Sequence, residues 1–76
     1  MKDLLLYTVQ HLVDNPEEIS IEESERDGMT VLSLRVAQGD LGKVIGRSGR
    51  MAKDLRAVVR ASCRNGQRVM VDILDD

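Results

Sequence analysis

The chain has 76 residues, 42% of them hydrophobic and 32% charged, with a formal net charge of −2. These proportions fit a globular domain rather than a disordered one, and no apolar run approaches the roughly 18 residues of a membrane helix. Cys63 is the only cysteine, which excludes an internal disulfide and fits a reducing cytoplasm. At this length one domain, spanning residues 1–76, is expected, with a thin stability margin. An acid follows Met1-Lys2 and no small-residue cleavage site follows the apolar part, so no signal peptide is read.

The first predicted element is a helix over Lys2–Asp14, where Leu5, Val9 and Leu12, with Leu6 and Val13 beside them, recur at spacings of three and four. Pro16, the only proline, drives Asn15 out of helical geometry and closes it. Ile19 and Ile21 then alternate with Ser20 and Glu22, Asp27-Gly28 suits a tight hairpin turn, and Leu32, Leu34 and Val36 alternate with Val31, Ser33 and Arg35. This reads as a β-hairpin with one buried face. Asp40 is a good N-cap for a short helix that starts at Leu41 and stops by Gly46. A second helix runs from after Gly49 to about Arg64, with Met51, Leu55, Val58 and Ser62 on one face, Val59 beside them, and Asn65-Gly66 as terminator. Val69, Val71 and Ile73 alternate with Met70 and Asp72 in a last strand. The order is α-β-β-α-α-β, which predicts an α+β fold with three strands packed on three helices.

The net charge conceals a segregation. Residues 1–40 hold three basic and nine acidic side chains, net −6. Residues 41–68 hold eight basic side chains and one acid, Asp54, net +7, and residues 69–76 add three acids. A +7 segment within an acidic chain is an electrostatic footprint for a polyanion, but also what a solvated basic helix face looks like.

At the heart of that segment lies Gly42-Lys43-Val44-Ile45-Gly46-Arg47-Ser48-Gly49-Arg50. The glycines fall between two helices rather than between a strand and a helix. They match neither a dinucleotide fingerprint nor an NTPase phosphate loop. A helix-Gly-x-x-Gly-helix turn lets a sugar-phosphate backbone lie close on the loop, and the following helix N-terminus favours a phosphate. Arg47, Arg50 and Lys53 add charge at that end, Lys53, Arg56, Arg60 and Arg64 form a stripe along the helix, and Val44 and Ile45 offer aliphatic surface to bases. Alone, Gly-x-x-Gly also describes an ordinary glycine-terminated helix followed by a tight turn.

Val44-Ile45-Gly46-Arg47-Ser48-Gly49 resembles the GXXG motif of KH domains, and the element order resembles the type II (prokaryotic) KH fold over nearly the whole chain. With Leu12-Val13-Asp14-Asn15-Pro16-Glu17 after the first helix, the chain is similar to the small bacterial single-KH proteins of the KhpA family. The resemblance implies a three-stranded mixed sheet. It also implies a non-catalytic protein that binds single-stranded RNA in the cytoplasm as a post-transcriptional regulator or RNA chaperone. The site residues it points to are Lys43, Val44, Ile45, Gly46, Arg47, Ser48, Gly49, Arg50 and Lys53. Partnership with itself or with a larger KH protein of the KhpB (Jag) kind is implied as well.

Nothing in the sequence assembles a catalytic or metal-binding constellation, and no cofactor is expected. Cys63 has no nearby His or second Cys, His11 has no metal-ligand spacing around it, and Asp14, Glu17 and Glu18 flank a helix end and a proline as solvated acids. Tyr7 is the only aromatic residue and lies in the first helix, so recognition of about four nucleotides must use aliphatic contacts, backbone hydrogen bonds and phosphate charge. One such groove is weak, so a dimer is expected, and Val58, Val59, Ala61, Ser62 and Cys63 spread apolar surface over more than one helix face. Two other readings stand beside this one. One is a protein-docking module with incidental RNA contact. The other is a DNA-binding helix-turn-helix, which the flanking strands and the lack of polar reader residues oppose.

Overall fold

A computed structural model describes residues 2–64 and 66–74. Helix α1 spans Lys2–Gln10, strand β1 Ser20–Arg26, β2 Met29–Arg35, helix α2 Leu41–Ile45, α3 Arg50–Ala61 and strand β3 Val69–Ile73, with single 3₁₀ turns at Pro16–Glu18, Gln38–Asp40 and Arg47–Gly49. The strands lie in the order β1-β2-β3. β1 and β2 pair antiparallel across a turn in which Asp27 and Gly28 have φ of 53° and 76°, the geometry expected of a two-residue Asp-Gly hairpin. β2 and β3 pair parallel, which requires a crossover, and α2 and α3 supply it. The result is an α+β fold with a mixed three-stranded sheet and three helices, as the type II KH resemblance implies.

In the register, Leu32 lies beside Val71 and Leu34 beside Ile73, so these residues share one sheet face. That face closes on Leu5 and Val9 of α1, Val44 of α2, and Leu55 and Val59 of α3 to form the core. β1 is exposed along nearly its whole length and carries Glu22, Glu23 and Glu25 into solvent.

Three expectations are corrected. Helix α1 stops at Gln10, short of Asp14: the N–H groups of His11 and Leu12 donate to Thr8 and Val9 carbonyls at 3.3 and 2.8 Å, tightening the last turn. The chain then drops Val13 into the core and turns the Asp14 and Asn15 N–H groups onto the Asp40 carboxylate. Helix α3 ends at Ala61 rather than near Arg64, closed by Ser62 N–H to Val59 O and Cys63 N–H to Arg60 O, each 3.1 Å. Of the expected terminator, Gly66 lies in the following turn, and Asn65 lies outside the described residues. The inner face of α3 is Ala52, Leu55 and Val59. Val58 is 41% exposed and Ser62 is also exposed. Leu55 has apolar neighbours at both three and four residues, so spacing alone could not choose between the two faces.

Candidate nucleic-acid interface

The loop between α2 and α3 is built by two glycines in different ways. Gly46 has φ 75° and ψ 178°, a region only glycine occupies without strain. A Cβ there would come within 2.6 Å of the Met51 Cβ and 2.8 Å of its backbone nitrogen. Gly46 is thus the wedge that lets the loop fold back against the start of α3. Gly49 has φ 75° and ψ 11°, in the left-handed region, and a Cβ there would meet nothing within 4 Å. Ser48 between them is also left-handed, at φ 56° and ψ 29°. The Gly49 N–H donates to Gly46 O at 3.3 Å and closes the turn. Gly49 stands at the N-cap position of α3 and has no side chain to satisfy the helix's first N–H groups, whose dipole end is positive.

Arg47, Ser48, Arg50 and Lys53 line an open concavity of about 510 Å³ at this helix start. All four are exposed, and Arg47, Arg50 and Lys53 have no ion-pair partner among the described residues. Unpaired like charges around a hollow raise the local positive potential and attract an anion.

Other predicted site residues lie elsewhere. Val44 is fully buried in the core, so it offers no surface to a base, and only the half-buried Ile45 can. The reason is the shortness of α2: of its three aliphatic residues, Val44 is the one fully buried to hold the helix down, with Leu41 packed beside the core. Lys43 is engaged, its ammonium paired with Asp14 and, at 3.3 Å, with Asp40 Oδ1. Asp40 is not the side-chain cap that its position before α2 predicts, because it makes no cap hydrogen bond. Its carboxylate instead accepts from the N–H groups of Asp14 (3.2 Å) and Asn15 (3.0 Å), from the Asn15 side-chain amide (3.3 Å) and from Lys43. It is only 1% exposed, the single buried charged residue among those described. Burial by itself would raise the Asp40 pKa; the Asp14 and Asn15 N–H groups, the Lys43 ammonium and the Asn15 amide outweigh it and hold the carboxyl below its ordinary range. The Asp14 carboxylate, against the smaller opposing effect of desolvation and with help from Asp40, raises the Lys43 pKa.

The stripe along α3 is shorter than the spacing predicts. Lys53, Arg56 and Arg60 are on the helix, but Arg64 lies past its end, its N–H donating to Gln67 Oε1 at 3.2 Å. The Arg56 Nε donates to the Val71 carbonyl at 3.2 Å, which joins α3 to the outer edge of the sheet. Sequence reasoning missed this bond and the Asp40 tether, since both join residues far apart in the chain. His11 is exposed, its Nδ1 2.7 Å from the Tyr7 carbonyl, and Cys63 is half-buried with its thiol 3.5 Å from the Val59 carbonyl. Among the described residues no group of three or more His, Cys, Asp or Glu side chains is placed to hold a metal ion, and no helix is long and apolar enough to cross a membrane.

A family model for the KH domain of KhpA and KhpB matches residues 2–73. The chain belongs to the KhpA/KhpB KH-domain family. Relatives in that family span the same length. The "RNA-binding protein KhpA" of Chlamydia caviae is 40% identical over 100% of this chain and 99% of its own. That of Oceanobacillus iheyensis is 47% identical over 97% and 100%, and that of Aquifex aeolicus 41% over 99% and 96%. No solved structure gives a match. The KH family is non-catalytic.

Proposed function

We propose that residues 1–76 form a single KH domain that binds single-stranded RNA without catalysis. In this reading about four nucleotides lie at the Gly46–Gly49 loop, and the protein acts in the cytoplasm as a post-transcriptional regulator or RNA chaperone. The observation that carries this reading is the hollow of Arg47, Ser48, Arg50 and Lys53, three cations with no ion-pair partner among the described residues at an open helix start. The empty space over Gly49 leaves room for a sugar-phosphate backbone to approach. The relatives' name, "RNA-binding protein KhpA", agrees with it. Ile45 provides the aliphatic contact, and Gly46 and Val44 support the loop from below. Lys43 acts on RNA only as part of its acid-paired cluster.

The test is the double substitution Arg47→Asp, Ser48→Asp. Both side chains are exposed and Ser48 already has a backbone that aspartate tolerates, so the fold survives. RNA affinity falls by more than about tenfold, because two anions reverse the potential of the hollow. A folded double mutant, checked by circular dichroism, that binds RNA as before would rule the reading out.

A docking role is supported by a separate observation. Val58 is 41% exposed on α3, and Ala57, Ala61 and Ser62 are exposed beside it. A second copy of this chain, or a KhpB (Jag)-like protein, seated there would link two weak grooves and multiply affinity. Val58→Asp then shifts sedimentation equilibrium to monomer with the fold intact, whereas Val59→Asp, at a position only 1% exposed, unfolds the domain. A wild-type chain that stays monomeric at high concentration, with no partner recovered from extract, excludes this role.

A further inference from the structure

We propose a second RNA subsite at the far end of α3, where Arg60 and Arg68 hold a phosphate and Met29, Cys63 and Val69 receive the adjoining nucleobase. The proposal rests on the RNA reading above and extends the bound strand beyond the loop.

These residues, with Gln67, line a hollow of about 260 Å³. That is smaller than the cavities that enclose drug-sized ligands and suits a group of about one base. Its floor is apolar and half-buried: Met29 from the start of β2, Cys63 from just after α3, Val69 from the start of β3. Its rim is polar and exposed, and neither Arg60 nor Arg68 has an ion-pair partner among the described residues. An apolar floor beneath unpaired cations is a chemistry for a base carrying a phosphate. A free phosphate alone would leave the floor unused.

The position relative to the loop makes the two hollows one path. Lys53 and Arg60 are seven residues apart, two helical turns, so they share a face of α3 about 10 Å apart along its axis. Arg56 lies on the same face between them. In the parallel ladder, Thr30 N–H bonds Arg68 O and Leu74 N–H bonds Leu34 O, so even-numbered residues of β3 face β2 and the Val71 carbonyl points to the outer edge. The Arg56 Nε bond to that carbonyl therefore puts the stripe along the edge of β3. A strand leaving the loop hollow along this line reaches Arg60 and Arg68. The end of the path is built firmly: Arg68 O accepts from Thr30 N–H at 2.9 Å, and the turn before it is closed by Gln67 N–H to Arg64 O at 2.7 Å.

Cys63 is the chain's only cysteine and lines this hollow, so its reactivity reports on the subsite alone. The experiment compares oligouridylates of four and seven nucleotides by fluorescence anisotropy and by the rate of Cys63 alkylation. The heptamer is expected to bind about tenfold tighter, with a log-affinity salt slope steeper by about 0.7 for the one further phosphate neutralised. It slows alkylation several-fold, and the tetramer binds without slowing it. In a folded Arg60→Ala, Arg68→Ala double mutant, heptamer affinity falls to that of the tetramer, tetramer affinity is unchanged, and protection disappears. If the tetramer binds and the heptamer neither binds tighter nor protects Cys63, the subsite is overturned while the loop reading stands. Protection that persists in the double mutant also overturns it, since the shielding then comes from elsewhere. If neither oligonucleotide binds, the RNA reading fails and the subsite with it.

Discussion

Two charged regions flank α2, and the fold treats them in opposite ways. On one side Lys43 meets Asp14 and Asp40, and the Asp40 carboxylate is almost wholly buried with four donors around it. On the other, Arg47, Arg50 and Lys53 surround a hollow with no counter-charge among the described residues. The first region ties the segment after α1 to the start of α2, a structural role that requires every polar group to be paired. The second leaves its charges unpaired, at a cost in repulsion that the proposed RNA contact would relieve. On the proposed reading, the paired charges serve the scaffold and the unpaired ones the site, even where the residue types are the same.

The comparison breaks most completely at Gly46, the joint between the regions. Gly46→Ala is expected to cost about 3 kcal/mol, from a backbone conformation alien to alanine and a collision with the Met51 backbone. In a domain this small that is a large share of total stability, and chemical denaturation should register it together with loss of RNA binding. Asp40→Ala comes next. It strands the Asp14 and Asn15 N–H groups and leaves Lys43 with Asp14 alone, so Tm falls by more than for any substitution confined to Arg47, Arg50 or Lys53. Equal Tm losses in the two regions would contradict the division.

A smaller effect separates the two glycines. Gly49→Ala is expected to cost only about 1 kcal/mol, roughly 4–8 °C in Tm, because its surroundings are empty and only the left-handed backbone objects. RNA affinity should fall further than that loss accounts for, since the new Cβ enters the space left for the ligand. The smallest effect is read by pH. The Asp40 pKa is lowered from its ordinary 3.8, so its stabilisation is complete above that value and is lost as pH falls below about 4 through the folded pKa. The Lys43 pKa is raised from 10.5, so its contribution is present below that value and lost as pH rises through the folded pKa. Thermal melts across pH should therefore lose stability at both ends. Asp40→Asn should flatten the acid limb, while Arg50→Ala leaves both limbs unchanged.

The sequence alone determined the element order, the hairpin turn at Asp27-Gly28 and the location of the basic loop, because turn chemistry, hydrophobic period and charge are local properties of the chain. Tertiary structure decided everything that depends on which residues meet across the chain. It ended α1 at Gln10, because the Asp14 and Asn15 N–H groups are needed by a carboxylate 25 residues and more away. It took Val44 and Lys43 out of the open site, one into the core and one into an acidic pair, though both sit beside the GXXG motif. On α3 it buried Val59 and exposed Val58, a choice that helical spacing left open because both flank the same leucine pattern. It also brought Met29, from the start of β2, and Cys63 and Arg68, from the connection between α3 and β3, around one hollow. Periodicity says which residues of an element can share a face. Only packing against the other elements says which face is inside, which charges find partners, and which are left for a ligand.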